Sequence, residues 1–310
     1  MDMIGTSSGP AWMRAVAAMV ACLPYRWLRP LGAALGAFVF TVVRVRRAHV
    51  IACVTRAGID APPRVAAAMY ASLGAGLLEL LWLAGRPPDA LDAVAVFTPE
   101  ADEAIARAAA GGRGVLIATA HTGNWDLAAC ATARWLGRAA PAVGALGPGR
   151  GPLHVVTKRL SWRALDRYWQ HLRAARGVKL IDARGAVRRV QAALAAGEAV
   201  AMMVDQVPER RTGSCVAPFL GAPARHDLAP ATLAARAGAP IVVAFGHRAS
   251  DGRHVMEVYD VLPPQAGPRA IADATARIAL ALERFVEQHP AQWLWLHRRW
   301  KGCETTPEDA

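Results

Sequence analysis

The stretch Gly114-Val-Leu-Ile-Ala-Thr-Ala-His121-Thr-Gly-Asn-Trp-Asp126 restricts what this chain can fold into more than any other. A short apolar run bounded by Gly111-Gly112, followed by a polar cluster that opens an apolar-periodic segment, reads as a buried strand feeding a helix N-terminus. In open α/β sheets, ligands bind beyond the carboxyl ends of such strands, and a helix start supplies unpaired N–H groups for developing negative charge. His121 stands at that junction. With Thr122-Gly123-Asn124 as the turn and Asn124 or Thr122 as the helix cap, Asp126 falls in the first helical turn, within reach of one ring nitrogen of His121. The other nitrogen is then free to take a proton from a hydroxyl. A His near an Asp is common by chance, and the strand-turn-helix context is what lifts this pair above that background. No Ser or Cys occupies a Gly-x-Ser-x-Gly elbow, so direct attack by a substrate hydroxyl is simpler than a covalent acyl-enzyme.

The run Glu198-Ala-Val-Ala-Met-Met-Val-Asp205-Gln206 repeats the pattern of an apolar strand ending in polar residues. Asp205 and Gln206 become site candidates on the same topological ground, their alternative being a turn-forming Asp and an exposed Gln. Further strands are expected over 142–146, 178–182, 240–246 and 254–261, the last with an edge-type alternation. Helices are expected over 64–83, 99–110, from Trp125 to about Trp135, and over 185–196, 228–237 and 271–289, with an irregular loop over 208–225. Together these predict one α/β domain with a central, mostly parallel sheet flanked by helices.

The 310 residues are enough to bury a substantial core, and the formal net charge of +12 points to an anionic partner: nucleic acid, an acidic membrane surface or a phosphorylated or carrier-bound substrate. The five cysteines are scattered with no Cys-x-x-Cys pair, which argues against a disulfide framework or a structural zinc site.

Residues 11–23 and 31–43 are apolar, short and flanked by Arg and Trp, as a membrane-interface anchor requires; a pair of core helices is the plainer alternative. The expected division is a membrane-associating segment at 1–45, a domain at 46–303 and a tail at 304–310. Glu79, inside Leu77-Leu78-Glu79-Leu80-Leu81, is either a surface residue or a buried acid, the surface being ranked first. The loop 147–152 carries prolines that remove the donors a phosphate cradle needs. Residues 153–176 read as one long basic helical stretch, mostly solvated or membrane-facing, with one or two cations near its start placed to neutralise a substrate phosphate. The tail Gln292-Trp293-Leu-Trp295-Leu-His297-Arg298-Arg299-Trp300-Lys301 suits an anionic lipid or nucleic-acid interface, or Arg stacked on Trp as a structural cap.

Four segments, in order, resemble the bacterial lipid A biosynthesis (lauroyl/myristoyl) acyltransferases of the lysophospholipid acyltransferase superfamily: Ala120-His121-Thr-Gly-Asn-Trp-Asp126, Val204-Asp205-Gln206, Pro218-Phe-Leu-Gly-Ala-Pro223-Ala224, and Pro290 through Lys301. The resemblance implies transfer of a fatty acyl group from an acyl carrier protein or coenzyme A thioester to a hydroxyl of a membrane lipid, without metal or organic cofactor. It implies a catalytic domain on the cytoplasmic face of a bacterial inner membrane, with no nucleic-acid partner. His121 becomes the general base and Asp126 its orienting acid, with Asn124, Lys158, Arg159, Asp205 and Gln206 as substrate-binding candidates. Two positions depart from the pattern. Asp126 stands where lipid A enzymes more often carry Glu, and the substrate-binding Arg maps to Lys158, with Arg159 beside it. A lysophospholipid or another glycolipid is therefore the alternative acceptor. A non-catalytic protein that binds anionic membranes or nucleic acid is the remote alternative, marked by salt-sensitive binding that survives loss of His121.

Overall fold

The computed structural model describes residues 10–142, 153–208 and 212–303. Apart from Ala142, the strand expected over 142–146 lies outside them, as do the loop 147–152 and the tail 304–310. The strands are β1 (Ala95–Phe97), β2 (Val115–Thr119), β3 (His154–Thr157), β4 (Lys179–Asp182), β5 (Ala199–Met203), β6 (Ser214–Phe219), β7 (Ala222–Asp227), β8 (Ile241–Arg248) and β9 (His254–Leu262). The helices are α1 (Ala11–Ala21), α2 (Tyr25–Phe38), α3 (Arg47–Arg56), α4 (Pro62–Ala84), α5 (Ala90–Val94), α6 (Pro99–Ala109), α7 (Trp125–Ala142), α8 (Arg163–Ala175), α9 (Ala186–Ala195), α10 (Ala229–Ala237) and α11 (Gly267–Gln288).

Among the described residues, seven strands form one sheet in the order β1-β9-β8-β2-β5-β3-β4, and β6 and β7 form a separate antiparallel pair. Every neighbouring pair in the large sheet is parallel except β8 and β9. Alternation along β2 explains why Val115 to Ala118 are all apolar. Leu116 and Ala118 enter one core with residues of α9, α10 and α11, while Val115 and Ile117 enter the opposite core with residues of α6, α7 and α8. A strand buried on both faces has no side for a polar residue, so its polar groups appear only past its carboxyl end.

Several expectations are corrected. Residues 153–176 do not begin as helix: Val155 and Val156 lie in β3, between β5 and β4, where β-branched side chains fit the pleat, and the helix starts at Arg163. Among its cations, most of them expected to be solvated, Arg176 is buried and donates to the carbonyls of Leu83 and Arg86. The irregular loop 208–225 is largely the β6–β7 hairpin. β9 is not an edge, because the three-residue β1, too short to leave a pattern, pairs outside it.

Glu79 is the sharpest correction, being 1% exposed rather than on the surface. Its carboxylate accepts from Arg248 Nε (3.0 Å) and NH2 (2.8 Å) and from Asn124 Nδ2 (2.9 Å), and it lies 3.0 Å from His254 Nε2. Burial pushes the Glu79 pKa up, but His254 and Arg248 outweigh it and hold the acid at about 2.

The N-terminal helices divide by burial. α4 lies against α2 at close range, and a Cβ at Gly36 would stand 2.0 Å from the Tyr70 carbonyl oxygen, so only glycine permits that approach. The apolar stretch Tyr25–Val43 is 22% buried, against 56% for Pro62–Ala84. Trp12, Met19, Trp27, Leu31, Phe38, Val42 and Val43 are exposed, and Trp12 stacks on the exposed Trp162 at 6.0 Å. The tail goes the other way: Trp293, Trp295, Arg299 and Trp300 are buried. Arg299 lies 4.7 Å over the Phe219 ring, not over a Trp, and donates to the Arg225 carbonyl, so the buried tail acts as a structural cap with a different ring from the one expected.

Candidate active site

β2 and β5 are parallel neighbours with Thr119 paired to Met203. His121 and Asp205 each lie two residues beyond that pair, so the register itself sets them side by side. His121 Nδ1 stands 2.9 Å from Asp205 Oδ1, and the His121 backbone N–H donates to Asp205 Oδ2 at 3.2 Å. Trp293 Nε1 donates to the same Oδ2 at 3.2 Å, so this fully buried carboxylate is held from three sides. Burial opposes ionisation of Asp205, but His121 and His297 outweigh it and keep its pKa at about 2. For His121, burial disfavours the charged ring, and the Asp205 charge and hydrogen bond more than compensate, raising its pKa above the ordinary value.

A carboxylate on Nδ1 fixes the proton there and leaves Nε2 with its lone pair, as a base for a hydroxyl requires. Among the described residues no hydrogen bond engages His121 Nε2. The ring packs edge-on against Trp125, with centroids 5.1 Å apart.

Asp126 does not orient His121 by a hydrogen bond. Its carboxylate accepts from Trp169 Nε1 at 2.8 Å and Arg173 Nε at 2.6 Å, tying the start of α7 to α8, and it acts on His121 only through its charge. Sequence spacing placed Asp126 one helical turn away, but the first turn of α7 directs it toward α8, while the strand register supplies a nearer acid. Asn124 caps α7 as expected: its Oδ1 accepts from Leu127 N at 3.2 Å. Its amide donates to the Gly76 carbonyl and Glu79, so the whole side chain is engaged in support rather than offered to a substrate.

The turn between β2 and α7 is fixed by the tail. Gly123 has φ +53°, and a Cβ there would meet the Gly246 carbonyl oxygen at 2.7 Å. Its N–H donates to the Gln292 carbonyl at 2.7 Å, while Leu294 N donates to the His121 carbonyl at 3.0 Å. Gln292 also grips the backbone of Arg248 with both ends of its amide.

Gln206 Nε2 lies 3.3 Å from His297 Nε2, and the His297 ring sits 5.1 Å from that of His121. Lys158 follows β3 at the same end of the sheet, exposed, and its charge reaches His297. Arg159 turns aside to Asp182 at 3.1 Å. The sequence reading missed three contributors here: Trp293, His297 and Arg46, whose NH1 donates to the Leu296 carbonyl at 2.8 Å. The aromatic-cationic density of the tail was the available signal, but nothing local assigns those residues to the His121 turn.

Beneath the turn lies an apolar cavity of about 60 Å³. Ile117, Thr119, Ala128, Ala129 and Ala201 form part of its wall, and Trp125 and Thr122 carry it up to the His121 loop. Small residues on α7 and β5 leave the slot open between helix and sheet.

The site combines a carboxylate-held imidazole, an apolar slot and a cationic rim at the carboxyl end of a mostly parallel sheet, an arrangement suited to moving a hydrophobic group onto a hydroxyl. Residues 9–302 match the family model of the bacterial lipid A biosynthesis acyltransferases, and the chain belongs to that family. It is 29% identical over 195 residues to a phosphatidylinositol mannoside acyltransferase of Mycolicibacterium smegmatis, covering 61% of this chain and 57% of that protein. A phosphatidylinositol mannoside acyltransferase of Mycobacterium tuberculosis is 27% identical over 197 residues, 62% of this chain and 56% of that protein. The match thus spans little more than half the length of these relatives. A 1-acyl-sn-glycerophosphate acyltransferase structure from Thermotoga maritima aligns over 87% of this chain and all of its own, with 13% identity and a TM-score of 0.35.

Proposed function

We propose that this chain transfers a fatty acyl group from an acyl carrier protein or coenzyme A thioester to a hydroxyl of a membrane lipid, with His121 as general base. The observation that carries the reading is the His121–Asp205 pair above the apolar slot. Nε2 takes the proton of the acceptor hydroxyl as its oxygen attacks the thioester carbonyl, and Asp205 stabilises the imidazolium that forms. The tetrahedral oxyanion is met by backbone N–H groups or a rim cation such as Lys158. Collapse expels the thiolate, which takes the proton back from His121. The slot holds the acyl chain.

The family supports a lipid A precursor as acceptor. The names of the two mycobacterial relatives and the presence of Asp126 support a glycolipid of another kind, so the acceptor class is a glycolipid or lysophospholipid hydroxyl. Membranes expressing the chain, offered a panel of such acceptors with both donor types, should acylate one of them. His121→Ala should lose at least about a hundredfold in rate, as for a removed general base. Equal rates in wild type and variant would overturn the catalytic reading.

The exposed aromatic and aliphatic face of α1 and α2, bordered by Arg26, Arg29, Arg44 and Arg46, supports attachment to the cytoplasmic face of a bacterial inner membrane. Replacing Trp12, Trp27 and Phe38 together by Ser is expected to lower co-sedimentation with anionic vesicles at least about tenfold, given the transfer energy of large apolar side chains. Unchanged partitioning would remove these helices from the contact.

A further inference from the structure

We propose that His247, Glu257 and His289 form a binding site for one borderline-soft transition-metal cation, zinc(II) being the representative, that fastens the C-terminal segment to the sheet. The acyl-transfer reading uses none of them as acid, base or oxyanion donor, although Glu257 also lines the apolar slot, and the proposal stands without that reading. They come from three places: His247 near the carboxyl end of β8, Glu257 on the paired strand β9, and His289 directly after α11. One donor atom from each lies within 4.8 Å of the other two. The two imidazole rings are stacked, with centroids 4.2 Å apart and planes 13° from parallel.

This group is not held together by hydrogen bonds. His247 Nδ1 is 3.7 Å from Glu257 Oε2, beyond hydrogen-bond distance, and among the described residues this buried nitrogen has no hydrogen-bond partner. A tetrahedral ion about 2.0–2.1 Å from each nitrogen needs its donors roughly 3.4 Å apart, and because imidazole lone pairs lie in the ring plane the two rings must turn out of their stack to take it. Two imidazoles and a carboxylate favour Zn(II), Co(II), Ni(II) or Cu(II). Mg(II) and Ca(II) prefer oxygen donors throughout.

The position gives the ion a consequence. His289 immediately precedes Pro290–Gln292, and Gln292 holds both the Gly123 N–H and the Arg248 backbone. His247 lies beside Gly246, against which Gly123 packs. An ion bridging His289 to His247 and Glu257 therefore fixes the root of the segment that shapes the His121 turn.

A second cluster, His121, Asp205 and His297, also places three donor atoms within 4.8 Å, and the experiment must separate the two. The full chain in detergent is stripped with chelator, dialysed and titrated with Zn(II) by calorimetry and with Co(II) by visible absorption. One equivalent should bind, thermal unfolding should shift upward with Zn(II), and cobalt should give the intense bands of a four-coordinate site. Loss of outer-shell partners alone costs about 10–100-fold in metal affinity, so His247→Ala and His289→Ala should each weaken binding at least about a hundredfold. His121→Ala should bind as wild type does. Glu257→Gln, which keeps the side chain's shape, should also weaken binding, and it serves where a His variant does not fold. Absence of saturable binding, or binding lost in His121→Ala and retained in His247→Ala, overturns the proposal.

Discussion

Asp205→Asn is expected to lower kcat/KM by about 10³–10⁴-fold, the scale seen when the acid that orients a catalytic His becomes an amide. The Asn side chain matches Asp in size, so the Trp293 and backbone contacts leave little to distort. What changes is the proton on Nδ1: an amide that presents its N–H₂ group there forces the imidazole into the opposite tautomer, with Nε2 protonated and unable to act as base. Asp126→Asn should cost far less. Its carboxylate meets Trp169 and Arg173, and its loss loosens the α7–α8 junction without touching the tautomer. The pH profile separates the two roles. The base works when unprotonated, so the wild-type rate falls as pH drops through a His121 pKa raised above its ordinary 6.5. Removing the Asp205 charge removes the main cause of that rise, so the acid limb of the residual Asp205→Asn activity should move to lower pH. Asp126 also contributes charge, though less, and Asp126→Asn should move the limb in the same direction by a smaller amount. If Asp126→Asn proves the more damaging variant, with the larger shift, the dyad is assigned to the wrong acid.

The difference between these two acids shows what the sequence could carry. The strand ending at Thr119, the turn, the Asn124 cap and the placement of Asp205 at a second strand end were all legible, because burial on both faces of a strand and helix capping act over a few residues. Which acid meets His121 was not, since that depends on the pairing of β2 with β5, strands more than 80 residues apart. The same limit hid β3. Its four residues precede a helix of strong amphipathic pattern, and only the partners on either side reveal them as a strand. Trp293 reads as an interfacial aromatic until the tail is seen folded across the turn, its indole N–H on Asp205.

Glu79→Ala should destabilise the protein by about 3–5 kcal/mol, the cost of breaking a buried ion pair and leaving its partner unpaired. Arg248 is nearly buried with Glu79, and two of its guanidinium nitrogens donate to that carboxylate, with NH1 reaching Ser72 Oγ at 3.0 Å. In the Ala variant the guanidinium, whose side chain is 6% exposed, keeps only the Ser72 hydrogen bond. The damage does not stop at α4. Asn124 Nδ2 loses one of its two acceptors beside the α7 cap and keeps only the Gly76 carbonyl, and Arg248 is the residue whose backbone Gln292 grips, so both supports of the His121 turn weaken together. Activity should therefore fall in Glu79→Ala although Glu79 makes no contact with His121, and Glu79→Gln, which still accepts one hydrogen bond from Arg248, should lie between the variant and wild type. Acid provides an independent check. With its folded pKa at about 2 against an ordinary 4.5, Glu79 contributes stability that is fully present above about 4.5 and is lost as pH falls through about 2. Denaturant unfolding in detergent at neutral pH should show the full gap between wild type and Glu79→Gln, and the gap should narrow across that acid window. A gap that stays constant down to pH 2 would mean that folding does not lower the Glu79 pKa, and the hydrogen bonds from Arg248 would then not be what holds the carboxylate ionised.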